Sequence, residues 1–190
     1  MAILEDRTIM RNDLQKRFCS NKVHGRKIVK LFIVDIVNAI SRWFVVLAKD
    51  LKALWRHFVE EWNKGKTACM AVIDETCATN FVFHESTGED IHGLKDFKKS
   101  MSEFFTAFPD NHITIGDMVV EGDKVAARYT LTGTHKGEFM GIPPTNKKVT
   151  MWAIEIDRIV GGKFVEGWIR FDTLGFMQQL GLTSTPRKQK

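Results

Sequence analysis

Cysteine is scarce in this 190-residue chain, and several common catalytic motifs are missing from it. Its three cysteines, Cys19, Cys69 and Cys77, form an odd set without a C-x-x-C pair, which argues against a disulfide framework and against a zinc knuckle. The chain also lacks a phosphate-binding glycine loop, a Ser-His-Asp arrangement and the surroundings of a nucleophilic cysteine. A reducing, cytoplasmic compartment is therefore expected.

Net positive charge is confined to the start of the chain. Residues 1–30 contain eight Lys and Arg against three Asp and Glu, and this excess, 8 − 3 = +5, equals the net charge of the whole protein. The remaining residues are neutral overall and have little attraction for phosphates. We expect no nucleic-acid partner, and the basic terminus is interpreted as a solvated tail.

An uninterrupted hydrophobic run is lacking as well. The most apolar stretch, residues 28–48, contains Lys30, Asp35 and Arg42, whose cost in lipid offsets the gain from the apolar side chains, so no membrane-spanning helix is expected. From Val29 to Trp62 the apolar residues keep one helical phase, which predicts one long helix or two collinear helices. Its first half would pack on a second copy, on a membrane surface or against the domain, and we favour self-association.

The rest of the sequence predicts helices followed by a sheet. Turn residues 63–66 end the long helix, a short helix follows over 67–75, and Leu94 to Phe108 shows an aromatic helical face. Strands are predicted over 80–84, 112–120, 124–135, 149–159 and 163–171, with turns at 121–123 and 161–162. This order indicates an α+β fold with a mainly antiparallel sheet. We divide the chain into an N-terminal extension (1–49), a domain (50–182) and a C-terminal tail (183–190).

One predicted strand places a carboxylate among apolar side chains. Met151, Ala153 and Glu155 share one face of this strand, and that face is directed inward. Burial would raise the pKa of Glu155 and suit it to proton transfer near neutral pH. The alternatives are an ion pair with Arg128 or Arg170, or a solvated position at the mouth of a cavity.

Several motifs, taken in order, resemble one known family. They are LKALWRHFVEEWNKG at 51–65, GLKDFKKSMSEFFTAFPD at 93–110, TLTGTHKGEFMGIPPTNKKVT at 130–150 and IDRIVGGKFVEGWIRFDTLGFMQQLG at 156–181. The most diagnostic pieces are Gly141-Ile142-Pro143-Pro144-Thr145 and Gln179-Leu180-Gly181. Over about residues 50–182 the chain resembles the SnoaL-like polyketide cyclases, also called ester cyclases.

This resemblance implies a fold and a reaction. The fold would be the nuclear transport factor 2-like cone, in which a curved sheet wraps around helices and leaves an apolar cavity at its open end. Family members of known activity close a ring by an aldol-type reaction in a polyketide ester, without metal or organic cofactor. Relatives commonly dimerise through the sheet, so we expect a homodimer, formed through the sheet or through the added helix.

The resemblance also points to site residues. The family's general acid or base, an aspartate in the last strand, falls on Ile169, and a family histidine falls on Glu155. We therefore expect Glu155 to be the principal catalytic group, assisted by His84 or His112 at the cavity rim. Asp172 matches a separate family aspartate and is interpreted as the N-cap of the last helix. The expected substrate-binding residues are Trp62, Phe104, Phe105, Phe108, Arg128, Trp152 and Ile169.

The function predicted from these features is cofactor-independent acid/base catalysis, by a cyclase, isomerase or hydrolase, on a hydrophobic polyketide-like molecule. No metal site is predicted, because the acidic and histidine residues at 84–92 match no ligand spacing we can argue for. The alternative is a non-catalytic ligand-binding or scaffold protein of the same fold that associates through its N-terminal helix. In a further alternative, residues 1–48 dock the domain peripherally on an anionic membrane.

Overall fold

The computed structural model describes residues 50–86 and 88–183, so the predicted N-terminal extension, residues 1–49, lies outside the described residues. A first helix, α1, occupies residues 50–62 of the described part. The elements that follow are α2 (Lys66–Thr76), β1 (Cys77–His84), β2 (Ile91–His92), α3 (Leu94–Ala107), β3 (His112–Glu121), β4 (Lys124–Thr134), β5 (Lys148–Val160), β6 (Lys163–Phe171) and α4 (Thr173–Leu180). None of the described helices is long and apolar enough to cross a membrane.

The six strands form one mixed sheet in the order β2-β1-β6-β5-β4-β3. Only β1 and β6 run parallel, and every other neighbouring pair is antiparallel. Gly161 and Gly162, both at positive φ, form the tight turn between β5 and β6, and Gly122 lies in the turn between β3 and β4. The predicted α+β class, the mainly antiparallel sheet and both hairpins are confirmed.

Irregularities in strand pairing account for the curvature of the sheet. The register shifts between Ile115 and Asp117 on β3 and between Arg158 and Ile159 on β5. An extra residue on one strand bends that strand and increases its twist. The sheet therefore curves and stays open, as expected for the cone.

The core lies between the inner face of the sheet and helices α1 and α3. On α1, Leu51, Trp55, Val59 and Trp62 recur at helical spacing and are buried. They pack with alternate residues of β4 and β5 and with one face of α3; these partners include Val125, Ala127, Tyr129, Leu131, Met151, Ala153, Phe97, Met101 and Phe105. The inner face of the sheet is thus its apolar face. A polar side chain on that face is therefore buried among apolar residues.

The last helix, α4, begins at a side-chain cap. The Asp172 carboxylate accepts a hydrogen bond from the Gly175 backbone N–H at 2.9 Å, as predicted for the N-cap. We expect Asp172→Ala to lower the free energy of unfolding by about 1 kcal/mol, measured by urea denaturation, because the capping acceptor is lost. Asp172→Asn keeps an acceptor and should retain most of the stability; an equal loss in both variants would show that capping is not the cause.

Candidate active site

A cavity of about 770 Å³ opens between the inner face of the sheet and helices α1 and α3. Its volume lies in the range of small-molecule binding sites. Aromatic side chains from α1, β1 and α3 contribute much of its wall, among them Trp55, Phe58, Trp62, Phe81, Phe83 and Phe104. Its walls therefore offer flat apolar surfaces to a bound molecule.

The two ends of this cavity differ in exposure. Glu103, Glu138 and Met140 line it and are exposed to solvent, so they mark its mouth. Tyr129 and Asp157, which are buried, mark its inner part. Five lining residues carry carboxyl groups, namely Glu85, Glu103, Glu138, Glu155 and Asp157, whereas no Lys, Arg or His is found among the described residues of the lining. Among the described residues, a ligand in this cavity therefore meets carboxyl groups and no basic side chain.

Glu155 is half-buried on the inner face of β5 and lines the cavity. The Tyr129 hydroxyl on β4 donates a hydrogen bond to its Oε2 atom at 2.7 Å. Burial raises the pKa of Glu155 from 4.5 to about 7, while hydrogen bonds from Tyr129 and with Asp157 act in the opposite direction. The loss of water, and then the charge and hydrogen bond of Glu155, raise the pKa of Tyr129, so its hydroxyl stays protonated and remains a donor.

Asp157 lies two residues beyond Glu155 on the same face and is only 2% exposed. The indole Nε1 of Trp55 on α1 donates a hydrogen bond to its Oδ2 atom at 2.7 Å. Burial, and then the negative charge of Glu155, raise the pKa of Asp157 well above its usual value. Gly167 on β6 lies opposite, where a Cβ atom would come within 2.7 Å of Asp157 Oδ1, so a glycine makes room for this carboxyl group.

Sequence reasoning missed Tyr129 and Asp157 as members of this cluster. Asp157 follows Glu155 by two residues and must share its face of the strand, so the alternation could have shown it. Tyr129 is the only tyrosine of the chain and is in phase with the buried Val125 and Ala127. No local signal, however, indicates that its hydroxyl meets Glu155.

A sequence profile described as SnoaL-like polyketide cyclase matches residues 52–180, which is more than half of the chain. The chain belongs to this family. The resemblance seen in the sequence is confirmed, and membership supports a small-molecule enzyme of the cyclase type.

Individual relatives agree with the family assignment. The aklanonic acid methyl ester cyclase DnrD of Streptomyces peucetius is 30% identical over 129 residues, covering 67% of this chain and 88% of that protein. Its counterpart DauD of Streptomyces sp. (strain C5) is 29% identical over 136 residues, covering 67% of this chain and 80% of that protein.

Solved structures share the fold of this chain. TsrD of Streptomyces laurentii superposes with a TM-score of 0.63 at 27% identity, covering 71% of this chain and 97% of TsrD. AclR of Streptomyces galilaeus, a candidate hydroxylase, has a TM-score of 0.61 at 32% identity, covering 70% and 96% of the two chains.

Ile169, on which the resemblance places the family's aspartate, lies on β6 directly opposite Glu155 in the sheet register. Ile169, Trp62 and Phe104 all line the cavity, as the sequence led us to expect. Their contact with a substrate stays a prediction.

The two histidines expected at the rim do not line the cavity. His84 follows the inward-facing Phe83, so the alternation directs it to the other face of β1. There its ring stacks on Trp168, and its nitrogens contact Asp90 at 2.8 Å and Glu166 at 3.2 Å. His112 is exposed at the start of β3. The expectation that either histidine assists Glu155 from the rim is corrected, because neither lies on the cavity wall.

Four of the expected substrate-binding residues also lie elsewhere. Phe105 and Phe108 are buried in the core and do not line the cavity. Arg128 and Trp152 are exposed on the outer face of the sheet, Trp152 at 62%, because their neighbours Tyr129 and Ala153 face inward. The alternative of an ion pair between Glu155 and Arg128 is therefore excluded by the strand alternation, and Arg170 instead bonds to backbone carbonyl groups.

Metal-dependent catalysis and catalysis by a cysteine nucleophile have little support in the described residues. Within residues 50–86 and 88–183, no group of three or more His, Cys, Asp or Glu side chains is arranged to hold a metal ion. Cys69 and Cys77 are buried, and the loss of water raises the pKa of each thiol to about 12, so neither is poised as a thiolate nucleophile. The carboxyl groups around Tyr129 are the remaining proton-transfer candidates.

Proposed function

We propose that this member of the family is a cofactor-independent cyclase that closes a ring in a hydrophobic, uncharged polyketide-like ester, with Glu155 as the general base. The observation that supports the proposal is the half-buried Glu155 carboxyl group on the cavity wall, bonded to the Tyr129 hydroxyl. A ring closure through an enolate needs a base whose pKa lies near the working pH, and burial shifts Glu155 in that direction.

The position of Glu155 compensates for the missing family aspartate. Glu155 and Ile169 are a directly opposed pair on neighbouring antiparallel strands, and both line the cavity. Opposed side chains on one face have Cβ atoms roughly 4.5–5.5 Å apart. A carboxylate on β5 can therefore reach the same part of the cavity that a carboxylate at position 169 would reach.

In the proposed reaction Glu155 removes one proton from the substrate and the product takes one proton back. Glu155 removes a proton from the carbon next to a substrate carbonyl, and the resulting enolate carbon attacks a second carbonyl in the same molecule. The new alkoxide then takes up the proton, which leaves Glu155 ionised again. Tyr129, whose hydroxyl stays protonated, donates a hydrogen bond that holds the base in place.

The charge of the lining supports an ester over a free acid. A ligand carboxylate would meet five carboxyl-bearing residues and, among the described lining residues, no basic partner. An uncharged ester avoids this repulsion and still places a carbonyl group in the apolar cavity. The relatives DnrD and DauD are named as methyl ester cyclases, which agrees with this choice.

The test is turnover of matched substrates. Purified protein is incubated with a panel of polycyclic keto esters and with the corresponding free acids, and products are followed by absorbance, mass and NMR. We expect ring closure of at least one ester, giving an isomer of unchanged mass, and no turnover of its acid. Esters that quench tryptophan fluorescence but are never converted would contradict catalysis and favour the ligand-binding alternative. Loss of the ester alkyl group as an alcohol would indicate a hydrolase.

Homodimerisation, a cytoplasmic location and peripheral membrane contact through residues 1–48 stay predictions. Size-exclusion chromatography with light scattering would test the first of these. The outer face of β5, with Trp152, Ile154 and Ile156 exposed, is available in the described structure for such an association.

A further inference from the structure

We propose that Glu155 and Asp157, the carboxyl pair, hold one proton between them, and that Asp157 is a positioning residue that carries this proton and keeps Glu155 ionised toward the cavity. The inference rests on the proposed function, in which Glu155 is the base. It adds a second carboxyl group, buried behind the first, that does not itself need to touch the substrate.

The contacts of the carboxyl pair support a shared proton. The two side chains lie two residues apart on one face of β5, and both line the cavity. Two neighbouring carboxylates repel each other, and one proton on the pair removes this repulsion and supplies a donor that the other group can accept. The other donors are the Tyr129 hydroxyl, 2.7 Å from Glu155 Oε2, and the Trp55 indole, 2.7 Å from Asp157 Oδ2. Both donors are neutral.

Within residues 50–86 and 88–183, the charged and titratable groups around the carboxyl pair do not supply a compensating cation. Strand β4 presents Tyr129, helix α1 presents Trp55, strand β1 presents the Cys77 thiol, and strand β6 presents Gly167 and Ile169. Lys163, at the start of β6, donates to the Glu75 carbonyl and acts on Cys77. A buried and a half-buried carboxyl group side by side, with no cation beside them in the described part of the chain, are not both ionised near neutral pH.

The environment decides which member carries the proton. Glu155 faces the cavity and accepts the phenolic hydrogen bond, whereas Asp157 is 2% exposed and accepts only an indole hydrogen bond. The negative charge is therefore better stabilised on Glu155, and the proton belongs on Asp157. Gly167, which has no Cβ atom, leaves room for the Asp157 carboxyl group beside β6 at the inner part of the cavity.

The shared proton determines how the charge of the carboxyl pair changes during catalysis. The resting pair carries one proton and one negative charge. When Glu155 takes a proton from the substrate, the pair becomes neutral, and no second negative charge is ever buried. Asp157 thus acts through Glu155, by donating the hydrogen bond that orients the base and favours its ionised form.

The test is a direct titration of the two carboxyl groups, which does not depend on any substrate. The full-length protein is labelled with ¹³C at the Asp and Glu side-chain carboxyl carbons, and its NMR signals are followed with pH. The variants Glu155→Gln and Asp157→Asn assign the two signals. The matched control is Asp123→Asn, because Asp123 is an exposed turn residue outside the cavity. We expect the Asp157 signal to remain that of a protonated acid at pH 7, with two coupled steps for the pair.

The variants separate the proposed role from a structural one. In Asp157→Asn the amide can accept from Trp55 and donate to Glu155, so it mimics the protonated acid. We expect the titration step at lower pH to keep its midpoint within about one pH unit, and the step at higher pH to disappear. On an ester that the wild type converts, Asp157→Asn should keep kcat within about tenfold, whereas Asp157→Ala, which cannot hold Glu155, should lose roughly a hundredfold.

Titration of the Asp157 signal near its ordinary pKa of about 3.9 would overturn the inference, because Asp157 would then be ionised at pH 7 and could not carry the proton of the pair. This measurement needs only the wild type and Glu155→Gln, so it stands even if an Asp157 variant does not fold. A shared proton in a protein that converts no ester would refute the proposed function alone.

Discussion

Glu155→Gln is expected to lower kcat/KM for ring closure by roughly 10²–10⁴-fold with little change in KM, because the amide cannot accept a proton. Glutamine has nearly the shape of glutamate, and its carbonyl oxygen can still accept the hydrogen bond of Tyr129 that Glu155 accepts in the structure. Initial rates on an ester converted by the wild type measure the effect. Glu121→Gln, an exposed carboxylate at the end of β3, is the matched control and should leave the rate unchanged. Equal rates for Glu155→Gln and the wild type would remove Glu155 from the reaction.

Loss of activity in Glu155→Gln should not come from unfolding. Burial raises the pKa of Glu155 above its unfolded value of 4.5, to about 7, so the folded protein holds this proton over a pH range in which the unfolded chain releases it. The free energy of unfolding of the wild type should therefore fall as pH rises from about 4.5 to about 7, by up to about 1.4 kcal/mol per pH unit. Glutamine has no such proton, so the variant should gain stability relative to the wild type across this window. Urea denaturation at pH 5 and pH 8 measures the difference, and a pH-independent difference would contradict it.

Phe108→Ala is expected to cost about 3–5 kcal/mol of unfolding free energy, a large fraction of the stability of a typical domain. Phe108 is 0% exposed, and its ring packs against other aromatic rings, namely Phe104, Phe139, Phe176 and the imidazole of His135. Removing the ring leaves a void that these neighbours can fill only in part. Thermal or urea unfolding measures the loss.

Phe104→Ala is the matched comparison for Phe108→Ala. Phe104 lies one helical turn earlier on α3, is only partly buried and lines the cavity. We expect a smaller loss of stability and a clear rise in KM or Kd for the ester. The assignment of Phe108 to the core would be wrong if its alanine variant kept its stability while losing ester affinity.

These contrasts show where sequence reasoning about the site went wrong. Phe105, Phe108 and Trp152 were expected in the cavity wall because they are large and aromatic, but those properties suit a core, an outer face and a binding site equally. His84 was expected at the rim from its place at a strand end, although the inward-facing Phe83 before it already directs it outward. In each case the position of the residue within its strand or helix determined whether its side chain lines the cavity, and the residue type did not.

The sequence by itself determined the family, the α+β class, the tight turns at Gly122 and Gly161-Gly162, the cap at Asp172 and the inward direction of Glu155. All of these depend on residues close together in the chain, where strand alternation, turn chemistry or a continuous motif acts locally. The partners of the carboxyl pair were decided by the tertiary structure alone. Tyr129 meets Glu155 across 26 residues, and Trp55 meets Asp157 across 102 residues. Such contacts depend on the curvature of the sheet and on how α1 packs against it, and no local sequence pattern encodes that packing.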